Sequence, residues 1–141
     1  MPSVFQFQHT VREDEIDQQG HVNNLAYLRW MQDAAVAHSA AQGWTGERYR
    51  ESGAGWVVRS HFIEYRQAAF AGESIEVHTW VANFKKVTSL RKYRIIRPAD
   101  GAELAVAETD WAFLRMQHRV PRRIPPELRD AFVVVEGDAL P

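Results

Sequence analysis

The residues best suited to chemistry lie between Arg12 and Gly43, where a polar segment leads directly into a helical pattern. Apolar residues after this segment recur at steps of three and four, which is the spacing of an α-helix. Asn23 or Asn24 would cap the start of this helix, and Gly43 suits the position just past its end. The carboxylate of Asp17 is therefore expected close to unpaired backbone N–H groups and to the positive end of the helix dipole. In that position Asp17 is a candidate base.

The same residues also have structural explanations. Asp17 is equally typical of a turn or capping aspartate, and the side chains of Asn23 and Asn24 are common caps. His21 could lie beside a substrate or could be a hydrogen-bonded structural imidazole. The residue types alone leave these alternatives open.

Length and composition restrict the class of protein. The 141 residues are expected to form one domain, 1–141, with a core of its own. Seventeen basic and 18 acidic residues leave a net charge of -1, which gives no electrostatic reason to bind nucleic acid or an anionic membrane. No apolar run approaches the roughly 18 residues of a membrane span, and no signal-peptide pattern follows Met1, so a cytoplasmic protein is expected.

Cysteine and histidine usage restricts the kinds of site. The chain has no cysteine, which excludes disulfides, thiolate metal sites and a cysteine nucleophile. Its six histidines include no pair on one helical turn. We therefore expect neither a metal nor another cofactor.

The rest of the pattern predicts a sheet around this helix. One strand precedes it and four follow, at 4–11, 56–65, 74–84, 89–97 and 103–116. A short polar helix or loop is expected at 44–52, and a short helix at 126–132. This order predicts an α+β fold, a five-stranded antiparallel sheet curved around one long, nearly engulfed helix. The open edges of such a sheet favour self-association.

The segment Asp17-x-x-Gly20-His21-Val22-Asn23-Asn24-x-x-Tyr27-Leu28 resembles the loop and helix of hotdog-fold acyl-CoA thioesterases, especially the 4-hydroxybenzoyl-CoA thioesterase-like group. The resemblance extends over nearly the whole chain, through 59–76, 80–94 and 105–113. It implies a hotdog fold, a homodimer or homotetramer, and hydrolysis of an acyl-CoA. Many relatives have Asp-x-Asp where this chain has Glu15-x-Asp17, a difference that concerns a supporting residue only.

The resemblance also implies roles for individual residues. Thioester hydrolysis without cysteine needs a carboxylate that attacks the carbonyl or activates water, together with donors for the oxyanion. Asp17 matches the catalytic aspartate, and the backbone N–H of Asn24 would serve the oxyanion. The expected substrate contacts in the matching segment are His21, Asn23 and Tyr27. Asp33 remains a rival base, because another branch of the superfamily places its acid on the helix, although a solvated helix face explains it too.

Lys85 and Lys86 form a basic turn between two predicted strands. Coenzyme A carries phosphates that such a turn could hold, and the resemblance places the family's phosphate-contacting turn here. A solvated hairpin turn is the structural alternative. Further basic candidates are Arg91, Arg119, Arg122 and Arg123. Aromatic residues that could line an acyl pocket or pack in the core are Tyr27, Trp30, Trp56 and Trp111.

Two other functions fit this pattern. An acyl-thioester hydratase or dehydratase of the same fold would use a histidine and an acid, but its usual motif is not found in the sequence. A non-catalytic module would bind acyl-CoA without turnover. The expected partners are an acyl-CoA and further copies of the chain, with no nucleic acid or membrane. The acyl group, a carrier protein in place of CoA, and the choice between nucleophile and base for Asp17 stay open.

Overall fold

The computed structural model describes residues 3–136. All five predicted strands and the long helix are confirmed, with bounds that differ by at most two residues, whereas the 3₁₀ turn and the shortest strand were not predicted. In chain order the elements are β1 (Phe5–Thr10), a 3₁₀ turn (Glu13–Glu15), α1 (Asn24–Ala41), α2 (Gly46–Ser52), β2 (Ala54–Tyr65), β3 (Ser74–Phe84), β4 (Thr88–Arg97), β5 (Ala102–Arg115), β6 (Val120–Pro121) and α3 (Pro126–Asp130).

Helix α1 begins and ends where its capping residues predict. The side chain of Asn23 accepts a hydrogen bond from the Ala26 N–H at 3.0 Å, which pairs one of the free donors of the first turn. After the helix, Gly43 adopts φ 91°, a left-handed conformation that glycine reaches without strain. Within residues 3–136, no helix combines the length and the apolar character that crossing a bilayer requires.

One face of α1 packs on the sheet and the other is open. Its buried residues recur at helical spacing and include Tyr27, Trp30 and Met31. On the opposite face, Leu25 is 75% exposed and Val36 is 60% exposed. The expectation of a nearly engulfed helix is therefore wrong for the single chain. Because alanines and other apolar residues occur all around the helix, the sequence did not show which face is covered.

The sheet is antiparallel, with the order β1-β3-β4-β5-β2. Strand β6 extends it by a short pairing with β5. Because β1 and β2 are at opposite edges, the segment that contains α1 crosses the whole face of the sheet. Strand β2 is an edge strand of 12 residues, and its middle is exposed. This edge leaves backbone donors and acceptors available for pairing with another chain.

Two apolar clusters hold the layers together. The larger one lies between α1 and the sheet, where β3 contributes alternate residues such as Ile75 and Val77. The smaller one joins the far end of the sheet to α2 and α3, with Phe113 and Leu128 at its centre. The predicted bounds of β3 agree with the structure, but its burial alternates only at its start, because residues 77–81 are all buried.

Candidate active site

A tight loop carries Asp17 directly before the first turn of α1. The Asp17 N–H donates to the His21 carbonyl at 3.0 Å, and the Gly20 N–H donates to the Asp17 carbonyl at 3.1 Å. Ile16 and Val22 pair across the base of the loop. Gly20 has φ 88°, which an L side chain rarely adopts, so the turn requires glycine here. These bonds fix the half-buried Asp17 opposite His21, in the loop that leads directly into α1.

One oxygen of the Asp17 carboxylate is engaged and the other is available. Oδ1 accepts a hydrogen bond from the Gln19 N–H at 2.8 Å, which closes a local turn. Oδ2 has no hydrogen-bond partner within residues 3–136. The turn aspartate and the candidate base are therefore compatible in one side chain, because a single oxygen serves the turn.

Glu15 anchors this loop from inside the protein and is only 4% exposed. Its Oε1 accepts the Arg12 N–H at 2.9 Å and lies 2.8 Å from the His9 Nε2, and its Oε2 accepts the Trp30 Nε1–H at 2.8 Å. Its backbone carbonyl accepts the Asn23 N–H at 2.9 Å. One residue thus joins β1, the loop and α1.

The surroundings of Glu15 keep it ionised. Burial by itself raises the pKa of this carboxyl group, but the hydrogen bonds from Arg12, His9 and Trp30 favour the charged form and lower the pKa below its ordinary 4.5. From the sequence alone, Glu15 was interpreted as a departure from the Asp-x-Asp pattern of many relatives that concerns a supporting residue only. The signal that could have found it is Trp30 on the buried face of α1, because a buried indole N–H usually has an acceptor.

The start of α1 presents free donors beside Asp17. The N–H groups of Asn24 and Leu25 have no hydrogen-bond partner within residues 3–136, and both residues are exposed. The hydroxyl of Tyr65 donates to the Asn24 carbonyl at 3.2 Å, which helps to fix the first turn. Unpaired N–H groups at a helix start attract negative charge. The arrangement can therefore stabilise an oxyanion near the Asp17 carboxylate.

The other predicted contacts of this segment have different surroundings. The His21 Nδ1–H donates to the Val22 carbonyl at 3.0 Å, and its Nε2 lies 3.0 Å from the Gln19 Oε1, so the ring is fixed at the rim of the loop. Asn23 uses both ends of its amide, as the cap of α1 and as a donor to the Glu15 carbonyl at 3.0 Å. Tyr27 is 3% exposed and packs edge-on against Trp30 in the core. Substrate contact by these three residues stays a prediction.

The structure places the rival carboxylate Asp33 and the aromatic residues considered for an acyl pocket in different surroundings. Asp33 is exposed on the open face of α1, in agreement with a solvated position. Trp30 belongs to the core, like Tyr27. Trp56 and Trp111 instead line a cavity of about 300 Å³ between the C-terminal half of α1 and the sheet.

Lys85 and Lys86 lie in the exposed turn between β3 and β4. The tail of the chain packs on this turn, since the Ile124 N–H donates to the Lys86 carbonyl at 2.9 Å and thereby brings Arg123 beside it. Within residues 3–136, neither lysine nor Arg123 pairs with a carboxylate. These three residues form a basic cluster. The other basic candidates lie apart from it: Arg91 is buried, Arg119 lies in the β5–β6 turn, and Arg122 donates to the Ser52 carbonyl.

Asp17 and the basic cluster are at opposite ends of the molecule. The Asp17 loop lies at the Ser74 end of β3, where the Val22 N–H donates to the Ala69 carbonyl. The basic cluster follows Phe84 at the other end. A strand of this length spans about 33 Å at roughly 3.3 Å per residue. One chain by itself does not bring the two predicted parts of the site together.

The model of the thioesterase-like superfamily matches residues 11–132. The chain belongs to this superfamily. A protein of Bacillus subtilis (strain 168) named "Putative acyl-CoA thioesterase YneP" is 30% identical over 99 residues, which is 70% of either chain. The interpretation of the sequence as a thioester hydrolase is thereby confirmed.

Solved structures confirm the hotdog architecture of this thioesterase. The 1,4-dihydroxy-2-naphthoyl-CoA thioesterase Slr0204 from Synechocystis superposes with a TM-score of 0.84 at 16% identity, over 91% of this chain and 94% of that one. The DHNA-CoA thioesterase from Staphylococcus aureus superposes with a TM-score of 0.85 at 21% identity, over 91% of this chain and 87% of that one. The α+β class and the hotdog fold were both predicted correctly.

The Glu15→Gln variant should destabilise the thioesterase by about 1–3 kcal/mol at pH 7, because an amide leaves at least one buried donor without an acceptor. The stability that Glu15 contributes should be complete above its ordinary pKa of 4.5 and should be lost as the pH falls through the lower pKa of the folded state. Urea unfolding of the wild type and of Glu15→Gln between pH 7 and pH 3 measures this contribution. The difference between their free energies of unfolding should become smaller in acid. The exposed Glu13→Gln is the matched control, and equal effects of the two substitutions would contradict the anchoring role.

Proposed function

We propose that this thioesterase hydrolyses an acyl-CoA to the free acid and CoA, and that Asp17 is its catalytic carboxylate. The observation that carries the proposal is that, within residues 3–136, Asp17 Oδ2 and the first two N–H groups of the helix that follows its loop have no hydrogen-bond partner. The relationship to the Bacillus subtilis protein supports the acyl-CoA class, because that protein is named for it.

The proposed chemistry divides the work between the loop and the helix. As a general base, Asp17 takes a proton from water, the resulting hydroxide adds to the thioester carbonyl, and the C–S bond then breaks as the CoA thiolate leaves and is protonated. As a nucleophile, Asp17 adds directly to the thioester carbonyl, the C–S bond breaks as the CoA thiolate leaves and is protonated, and water then hydrolyses the resulting mixed anhydride to the free acid and the Asp17 carboxylate. In both routes the negative charge develops on the carbonyl oxygen, where the Asn24 N–H and the helix dipole stabilise it.

The proposed reaction uses only groups of the protein, without a metal or another cofactor. We expect it to take place in the cytoplasm, as the sequence predicts. His21, Asn23 and Tyr27 surround the helix start and the loop, and they are the proposed contacts of the substrate near the thioester.

The complete site is proposed to form between chains of a homodimer or homotetramer. The separation of about 33 Å along β3 keeps Asp17 away from Lys85 and Lys86 of its own chain. The open edge of β2 and the open face of α1 are surfaces on which a second chain could pack. In this arrangement the loop and helix start of one chain act on the thioester, and the basic cluster of its partner holds the CoA phosphates.

Light scattering should give a mass of at least twice the 16.2 kDa of one chain at micromolar concentration. The double variant Val58→Lys/Phe62→Lys adds charge to two exposed residues of the β2 edge and should lower both this mass and the turnover of acyl-CoA. Val133→Lys, at an exposed position in the tail, is the matched control. A monomeric wild type would overturn the shared site.

Replacing Lys85 and Lys86 with alanine should raise the KM for acyl-CoA and change kcat little, because phosphate contacts act on the substrate and the transition state alike. The comparison substrate is the matching acyl-pantetheine, which lacks the nucleotide. The effect should be much smaller there. Equal losses on both substrates would show that this turn does not hold the phosphates.

Asp17→Asn should lower kcat by about 10²–10⁴-fold, since an amide neither accepts the proton nor attacks the carbonyl. Its stability should change little, because a loop carboxylate near a helix start contributes only about 0.3–1 kcal/mol through the helix dipole. The measurements are free-thiol release from a panel of acyl-CoAs and the thermal midpoint, with Asp33→Asn as the matched control. An Asp17→Asn protein that keeps more than about a tenth of the wild-type kcat would point to a different carboxylate.

The same panel separates the other functions. Binding of acyl-CoA without thiol release by the wild type would indicate a binding module. Addition of water to an enoyl-CoA, with the thioester intact, would indicate a hydratase. Either result would overturn the proposed hydrolysis.

A further inference from the structure

The cavity between the C-terminal half of α1 and the sheet is largely aromatic. Its volume of about 300 Å³ is at the small end of the roughly 300–1,000 Å³ that ligand pockets occupy. The aromatic part of its wall consists of Trp44, Tyr49, Trp56, Phe84, Trp111 and Phe132. Gln32, Val36 and Gly46 are its exposed lining residues, so the cavity opens to the surface beside them.

Arg91 lines this cavity although it is only 7% exposed. It occupies an inward position of β4, in alternation with the buried Ser89 and Tyr93. Its Nη1 donates to the His38 Nδ1 at 2.9 Å and to the Thr79 Oγ1 at 3.1 Å. Both acceptors are neutral, because burial, together with the charge of Arg91, lowers the pKa of His38 to about 3. Within residues 3–136, Arg91 forms no ion pair with a carboxylate.

Within residues 3–136 no carboxylate balances the charge of Arg91, whose guanidinium carbon lies 5.9 Å from the centre of the Phe132 ring. A guanidinium stays protonated in proteins, and a buried charge without a partner is costly. Its Nε and Nη2 have no hydrogen-bond partner within residues 3–136. These two groups lie on one edge of the planar guanidinium, which is the geometry that receives both oxygens of a carboxylate.

The hydroxyl groups on the same wall are already satisfied. The Trp56 indole N–H donates to the Tyr49 hydroxyl at 3.1 Å, the Tyr49 hydroxyl lies 2.9 Å from the Ser39 Oγ, and the Ser39 hydroxyl donates to the Trp44 carbonyl at 2.8 Å. This chain of bonds uses the hydroxyls of Ser39 and Tyr49, whereas the buried indole N–H of Trp111, a neutral donor, has no hydrogen-bond partner within residues 3–136. An anion in the cavity would therefore be held by Arg91, and the aromatic wall would contact its apolar part.

We propose that this cavity binds a small apolar carboxylate, with the carboxylate group on the free Nε and Nη2 of Arg91 and the apolar body against the aromatic wall. Two sources supply this chemistry. One is a distal carboxylate on the acyl group of the substrate, which rests on the proposed function. The other is a free carboxylic acid, the class of compound that thioester hydrolysis releases.

The first experiment measures binding alone and needs no turnover. Hexanoate should bind the wild-type protein at least about tenfold more tightly than hexan-1-ol in isothermal titration, because a charged group adds a charge-assisted hydrogen bond. Hexanoate should also raise the thermal midpoint of the wild type, and the alcohol at equal concentration should not. Both measurements use the wild-type protein, so neither depends on the folding of a variant. Equal binding of acid and alcohol, or no binding of either, overturns the proposal.

Arg91→Gln keeps hydrogen-bond donors and removes the charge, and should abolish the preference for hexanoate. Arg94→Gln is the matched control, since Arg94 pairs with Glu103 away from the cavity and should keep the preference. A preference that survives in a folded Arg91→Gln protein would overturn the proposal.

The second experiment identifies the source of the carboxylate. The ratio of kcat/KM for adipoyl-CoA and hexanoyl-CoA compares two six-carbon acyl groups that differ in a distal carboxylate. A preference for adipoyl-CoA that Arg91→Gln removes assigns the cavity to the acyl group. Equal turnover of the two thioesters by the wild type and by Arg91→Gln, together with hexanoate binding by the wild type, assigns the cavity to a free acid. If the wild-type protein binds hexanoate but hydrolyses no acyl-CoA, the proposed function is refuted and the proposed carboxylate site is supported.

Discussion

The ionised carboxylate of Glu15 is the interaction on which the candidate site depends. It is buried beneath the loop, where His9 on β1, the Arg12 N–H and Trp30 on α1 all bond to it. Removing a charge from water is costly unless hydrogen bonds replace the lost hydration, and here at least three do. Asp17, two residues later, is thereby held in the loop before the helix, and within residues 3–136 one of its carboxylate oxygens has no hydrogen-bond partner. One acid of the loop serves the structure and the next is available for chemistry.

Helix α1 connects two regions of polar chemistry through an apolar middle. Its start presents unpaired N–H groups beside Asp17, and its C-terminal half borders the cavity that contains Arg91. The helix residues between these two regions, such as Trp30 and Met31, belong to the apolar core, and neither proposed ligand contacts them. The basic cluster lies beyond both, at the far end of β3. This layout explains why an acyl-CoA site that uses Asp17 and the lysines requires a second chain.

Much of the fold and the main features of the site could be predicted from local patterns. The alternation of apolar residues in the sequence and the turns on either side predicted the bounds of β3, and the capping residues predicted the ends of α1. Asp17 was found because its loop and helix are contiguous in the sequence. The open face of α1 was missed, because apolar residues around a helix do not show which side a sheet covers. Arg91 was named as a further basic candidate for the phosphates, although its inward position between Ser89 and Tyr93 on β4 already indicated burial.

The sequence by itself determined the secondary structure, because local patterns encode it, and the resemblance of its loop and helix to a known family supplied the thioesterase class and the candidate acid. Only the tertiary structure decided what Glu15 and Arg91 do. Glu15 bonds to residues six positions before it and 15 after it, and Arg91 bonds to His38, which is 53 positions away. The cost of burying a charge depends on the groups that surround it in space. No local pattern contains that information, so these two charged residues acquire their roles only when the sheet and the helix pack together.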